Sequence, residues 1–373
     1  MESKNEDICN AEIEKNGDNK ILPFVIPITN CYPATSEATG ILFTDNNIYE
    51  WMFNSFIQIF EVEGNHAIDY YDFAIDNNPF LSYNEIDYSF IYHNWDSIID
   101  FVISAIDDNY YVRLFVNMRK IAAYLNGDDN QHDMIIFGYN KKEALFYIAD
   151  HFQKGYFEKK TCTFEELINA LDTYKVELFN ENYAFLNSAQ LIKRETDLMR
   201  LRFSMYTPEE MDYILSLNLS RITDSLSDYL NGVPTTNWYT RGRVMNECLK
   251  ASHHWGIQCY DILKLYVNEL KEEHITNDFA LQSFYVFYNH KRVMLERIKI
   301  IGQKYDLYNI DMHLKNFNEL CILSNKAMLK YIKSTMKANN ENSCNSLLKS
   351  IDELYELDKN YISLLLEDLL KLM

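Results

Sequence analysis

The chain has 373 residues, 47% hydrophobic and 14% aromatic, enough for two cores and too apolar for a generally disordered protein. Its formal net charge of −20 is uneven: residues 1–190 hold 12 Lys and Arg against 31 Asp and Glu, while the remaining 183 hold 23 against 24. So acidic a first half argues against nucleic acid and anionic membrane as partners, because a phosphate surface needs cations facing it, and it leaves a well-solvated surface or attraction of a cationic substrate.

Residues 1–20 are polar and acidic and read as a disordered tail without the apolar stretch of a signal peptide; no later run approaches the length of a membrane span. A cytoplasmic protein is expected. The seven cysteines are scattered, with no CxxC pair, which suits a reducing compartment and argues against a disulfide framework or a zinc ribbon.

From about residue 21 to 195 short β-type runs alternate with helices, as in an α+β domain. ILPFVIPI (21–28) is a strand candidate ended by Pro27, and IYEWMFNSFIQIF (48–60) and NWDSIIDFVISAI (94–106) have helical spacing. YYVRLFV (110–116) is β-rich, and HDMIIFGYNKKEALFYIADHF (132–152) reads as a tight hairpin. Residues 155–161 offer a third strand, after which Thr163 and Glu166 form a capping box for the helix FEELINAL.

Beyond about residue 205 the pattern is helical. Thr207 and Pro208 open a helix that stops at Gly232 before Pro234; Val244, Cys248, Ala251, Trp255, Ile262, Tyr266 and Leu270 mark the next, and Phe284 to Ile298 a third. Two more cover roughly 309–338 and 343–372, giving an all-α helical bundle over 205–373.

With its turn centred near Lys141, the hairpin sets His132 directly opposite Asp150, with Cβ atoms about 4.5–5.5 Å apart. A carboxylate on one imidazole nitrogen fixes tautomer and orientation and leaves the other nitrogen to act on a nucleophile; the alternative is a structural His–Asp bond. Cys31, in ITNCYPATSEATG, precedes a short helix or a loop; at a helix N-terminus its thiolate would be stabilised. Cys162, beside the capping box, is the rival, and Cys9 lies in the tail. His253 and His254 sit in a helical pattern where neighbours face different ways, so a shared metal site is not expected.

The order Cys31, His132 opening a strand, Asp150 ending the next, with NCYP (30–33), WMFNSFIQIF (51–60), HDMIIFGYN (132–140), LFYIADHF (145–152) and CTFEELINA (162–170), resembles the papain-like superfamily, which includes the bacteriocin-leader cysteine peptidases. It resembles more closely the butirosin biosynthesis protein H N-terminal domain family, over about residues 21 to 190; the helical half, with YNHKRVMLERI (288–298), is similar to that of large bacterial members. The resemblance implies a papain-like domain at 21–195 and an acyltransferase of bacterial natural-product biosynthesis. Its nucleophile would be Cys31, its general base and acid His132, its orienting group Asp150. The implied donor is a carrier-protein thioester and the implied acceptor a cationic amine, with neither metal nor organic cofactor. The glutamine that papain-like enzymes place before the cysteine is missing from FVIPIT (24–29), so Asn30 or the Cys31 backbone N–H stands in as oxyanion donor. A papain-like peptidase or amidase, and a non-catalytic interaction protein with a relic triad, are the other readings.

Overall fold

The computed structural model describes residues 14–62, 66–71, 80–125, 127, 129–153, 156–172, 188–194, 207, 215–235, 254–272, 276, 277, 279–336 and 341–373. The chain forms two compact units, one of residues 1–46 and 78–211, the other of 47–77 and 212–373. Residues 47–77, which the sequence places within 21–195, thus belong with the helical half.

In chain order the first half runs β1 (Glu14–Asn16), β2 (Asn19–Ile21), α1 (Pro33–Leu42), α2 (Asn46–Met52), β3 (Ile59–Glu61), β4 (Ile68–Tyr70), β5 (Leu81–Asp87), α3 (Tyr88–Asn94), α4 (Ile98–Asp107), β6 (Tyr111–Asn117), β7 (Gln131–Asn140), β8 (Leu145–Gln153), β9 (Tyr156–Thr163), α5 (Phe164–Asp172) and β10 (Ser188–Arg194). The second half adds α6 (Leu219–Asn231), α7 (Cys259–Glu272), α8 (Ala280–Lys304), α9 (Ile310–Thr335) and α10 (Glu341–Leu370). An antiparallel sheet followed by helices is therefore the architecture of the described residues.

Eight strands form the sheet of the first unit, and β7 is its hub. One edge of β7 pairs with β6 and then β2; the other pairs with β8, which continues to β9, while β10 and β5 extend the sheet beyond β6. Strands β1 and β2 occupy part of the expected tail over 1–20. The strand expected at 21–28 ends at Ile21. Leu22 still donates to the Phe137 carbonyl at 2.7 Å, but Pro23 and Pro27 have no N–H, and Val25 donates instead to Gly40 of α1 at 3.0 Å.

Helix α1 settles the helix-or-loop alternative after Cys31. Pro33 sits in its first turn, and its hydroxyls bond back to earlier carbonyls, Ser36 Oγ to Tyr32 at 2.7 Å and Thr39 Oγ1 to Thr35 at 2.6 Å. Every residue from Thr35 to Leu42 is buried, and the helix packs on β7 and β8. Gly40 permits this: a Cβ there would stand 2.5 Å from Cζ of Phe24 and 2.9 Å from the Val25 carbonyl oxygen.

The β7–β8 turn is KKEA rather than NKKE. Asn140 Oδ1 accepts the Lys142 and Glu143 N–H groups at 3.1 and 3.2 Å, and Ala144 takes φ of 51° to re-enter the strand. The Thr163–Glu166 capping box forms as expected, with Thr163 N donating to Glu166 Oε2 at 2.6 Å and Glu166 N to Thr163 Oγ1 at 3.1 Å.

In the second unit the helix expected over 48–60 stops at Met52, and β3 and β4 pair as a small hairpin. Phe56 adopts φ of 63°, and the guanidinium of buried Arg297 takes up the freed carbonyls of Phe53 and Ser55. The start expected at Pro208 lies outside the described residues; α6 begins at Leu219, capped by Asn218, and ends at Gly232 with φ of 62° before Pro234, as its sequence predicts. Val244, Cys248 and Ala251 lie outside the described residues too. Trp255 is extended, bridged to Phe60, and the helix starts only at Cys259.

One buried polar knot joins α6, α7, α8 and α10. Lys291 Nζ lies 2.5 Å from Asp358 Oδ2, both side chains without exposure, and the Tyr229 and Tyr260 hydroxyls donate to the same oxygen at 2.7 and 3.2 Å. Breaking such a pair strands a charge away from water. Lys291→Met should therefore lower the stability of this unit by about 3–5 kcal/mol, read as the urea midpoint of the helical circular-dichroism signal. An unmoved midpoint would show that the pair holds nothing together.

Candidate functional site

The site grows from a mismatch in the hairpin. The displaced turn, with Asn140 opposite Leu145, shifts the register by three residues from the expected one, and the irregularity between Ile136 and Gly138 takes one back; continued beyond the Ile135–Ala149 pair, this register sets Met134 rather than His132 opposite Asp150. The direct pairing expected from the turn is off by two residues. Two is an even number, so both side chains stay on one face, diagonal to each other, within reach of an imidazole. His132 Nδ1 donates to Asp150 Oδ2 at 2.6 Å.

Asp150 has no exposure, so its charge depends on donors. Beside His132, the Tyr124 hydroxyl donates to Oδ2 and the His151 backbone N–H donates to Oδ1 at 2.6 Å. Burial works against the carboxylate, but the bonds from His132 and His151, the His132 charge and the Tyr124 bond outweigh it and hold its pKa below the usual range. For His132 burial again opposes the charge; the hydrogen bond and charge of Asp150, then the charge of Glu37, prevail and raise its pKa. Because Nδ1 faces an acceptor it carries the proton, leaving Nε2 of a side chain 29% exposed for chemistry.

Tyr124 is positioned from two sides. The segment after β6 makes a 3-10 turn, Met118–Lys120, and the Ala122 N–H donates to Glu166 Oε1 at 2.9 Å, so the capping glutamate of α5 also anchors the loop that carries Tyr124.

Cys31 lies one residue before Tyr32, the N-cap of α1, and is 1% exposed. The neighbouring Asn30 carbonyl accepts from His151 Nε2 at 3.1 Å, which ties the cysteine segment to the strand carrying Asp150. Cys162 is the last residue but one of β9 and is buried; burial, then the Glu166 charge, pushes its thiol far up rather than down, so the capping box does not activate it. Cys9 and His253 lie outside the described residues. His254 is not helical; its Nδ1 binds Glu61 Oε2 at 2.6 Å. Among the described residues no group of three or more His, Cys, Asp or Glu side chains is arranged to hold a metal, and no helix is long and apolar enough to cross a membrane.

A second cluster adjoins the first. Arg113 of β6 points one nitrogen at Gln190 Oε1 at 2.9 Å and another at Asp133, while its Nε lies 2.7 Å from Glu37 Oε2. The Glu37 contact is close in distance but lacks hydrogen-bond alignment, so neither Glu37 oxygen accepts a hydrogen bond from the described residues. The sequence carries a signal for both residues. Glu37 is the sole charged residue from 21 to 44, and Arg113 is the first Lys or Arg after Lys20. An isolated charge in an apolar stretch must be paired if it is buried.

No family model matches the chain, and no curated protein matches it.

Asp150→Asn tests the dyad. The His132 imidazole should titrate about one pH unit or more lower, followed by 1H–15N NMR. The pair stabilises the fold fully between the ordinary carboxylate and the ordinary histidine ranges; that stability fades as pH rises from there through the raised His132 pKa or falls through the lowered Asp150 pKa. Urea unfolding at pH 6 should show a loss of about 1–3 kcal/mol.

Proposed function

We propose that the chain is a papain-like, cysteine-dependent acyltransferase of the butirosin protein H N-terminal kind, moving an acyl group from a carrier-protein thioester to a cationic amine. The observation that carries this reading is the His132–Asp150 bond of 2.6 Å on the sheet against which the helix following Cys31 packs. In this mechanism His132 Nε2 takes the Cys31 proton, and the thiolate attacks the thioester carbonyl. The carrier C–S bond breaks, and the leaving thiolate takes the proton back from His132, leaving a Cys31 thioester. An amine then attacks that carbonyl, gives its proton to Nε2, and displaces the Cys31 thiolate, which is reprotonated by His132. Asp150 orients the imidazole throughout. The Asn30 side chain or the Cys31 N–H receives the oxyanion. The acidic first half, 12 Lys and Arg against 31 Asp and Glu, favours a cationic acceptor over an acidic donor domain.

A second reading, an interaction protein with a relic triad, is favoured by one observation: Cys31 is only 1% exposed, and buried thiols are generally inert.

Limiting iodoacetamide at pH 7 with peptide mapping separates the two. For the acyltransferase, Cys31 should be alkylated first among the cysteines and at least about tenfold more slowly in His132→Ala. Labelling of Cys31 no faster than Cys162 would sink it. A model thioester and a peptide amide, each with and without a polyamine, then sort transfer from hydrolysis. Polyamine-dependent acyl transfer from the thioester is the expected result; cleavage of the amide alone would make the protein a peptidase.

A further inference from the structure

Among the described residues, two carboxyls, Glu37 and Asp133, lie against one permanent cation, Arg113, and a third, Asp150, lies against His132. The groups come from several elements: Glu37 from α1, Arg113 from β6, His132 and Asp133 from β7, Asp150 and His151 from β8, with Tyr124 from the loop after β6 and neutral Gln190 from β10; Glu158 of β9, opposite Asp150, is paired with Lys160 at 3.2 Å. With all three carboxyls ionised, Arg113 leaves two negative charges uncompensated. Either His132 as imidazolium or a proton on one carboxyl must reduce them, because uncompensated charge inside a protein is costly.

The carboxyl best suited to take that proton can be read from the bonding. Asp150 accepts from His132, Tyr124 and His151, and Asp133 accepts from Arg113. Glu37 has no exposure and accepts no hydrogen bond from the described residues; the misaligned Arg113 Nε at 2.7 Å gives it charge but no donor. It also stands on the helix that begins just after Cys31 and packs against the strands of His132 and Asp150.

We propose that Glu37 is a positioning residue of the site: held by Arg113, it acts through space on His132 and shares with it the proton that the surplus of buried carboxyls demands. Its environment agrees in direction. Burial first, opposed by Arg113 and reinforced by Asp150, raises the Glu37 pKa to about 7, and Glu37 in turn is among the charges that keep His132 protonated. The two groups titrate as a coupled pair, so neither midpoint belongs to one residue alone. The consequence for transfer rests on the acyltransferase reading. Near neutrality a protonated Glu37 lets a Cys31 thiolate and a His132 imidazolium coexist without a further buried negative charge; above it, the Glu37 charge opposes the thiolate.

The test reads His132 and Glu37 directly, in the full chain, so it stands apart from whether Cys31 reacts. In the wild type, the side-chain carboxyl 13C resonance of Glu37 should titrate near pH 7, with a step at the same pH in the His132 imidazole signals. In Glu37→Gln, that shared step should vanish and the His132 midpoint should fall by about one pH unit, a roughly tenfold loss of imidazolium on its alkaline side. Glu37→Asp, which keeps the charge, should restore most of the midpoint. A Glu37 carboxyl that titrates with the surface glutamates, or a His132 midpoint unmoved in folded Glu37→Gln, would overturn the proposal. If that variant does not fold, the wild-type carboxyl titration decides alone. A wild type in which Glu37 and His132 titrate together but iodoacetamide ignores Cys31 would retain Glu37 in this role and discard the acyltransferase.

Discussion

A carboxylate without exposure to water must be supplied with donors from the fold, and at Asp150 that requirement organises the first unit. Its oxygens draw in His132 from the adjacent strand, Tyr124 from the loop after β6 and the backbone of His151. Each donor constrains a different element. The imidazole is fixed as one tautomer, the loop is pinned to the sheet, and the loop's other end is held by Glu166, which also caps α5. A chain of local hydrogen bonds thus runs from a helix start to the candidate dyad.

The helical unit obeys the same rule to a different end. Lys291, Tyr229 and Tyr260 converge on one oxygen of Asp358, and Arg297 collects the carbonyls left where α2 has ended. These groups have no exposure and face one another, so their bonding is spent on cohesion. In the first unit the charges border an imidazole that is 29% exposed, and one of them, Glu37, has no donor among the described residues. A buried network that is closed rigidifies a core; one that reaches solvent at a titrating group is suited to moving protons. That contrast separates the network around His132 from the one around Asp358.

Several local features were legible because they depend on neighbours in the chain. The Thr163–Glu166 box, the arrest of α6 at Gly232, the strand at 111–117 and the long helices near 310–335 and 341–370 follow from capping, glycine conformation and periodicity. Where distant groups intervene, the pattern misled. Helical spacing over 48–60 ignored Arg297, which lies far along the chain and stabilises the break. Periodicity through Trp255 ignored its bridge to Phe60, and the apolar run at 21–28 ignored the lack of donors at Pro23 and Pro27.

The sequence alone determined the alternation of strands and helices, the long helices of the second half, the acidic first half, and the presence of His132 and Asp150 on one hairpin, since these depend on composition and on side-chain period. Tertiary structure decided the rest. The displaced turn and the irregularity between Ile136 and Gly138 together moved His132 and Asp150 from opposite to diagonal, and even parity preserved their contact. Packing of α1 on the sheet made a helix of indifferent helix formers and buried Cys31 and Glu37 with it. Which charges meet, and which are denied a donor, depends on elements far apart in the chain, and no local pattern encodes that.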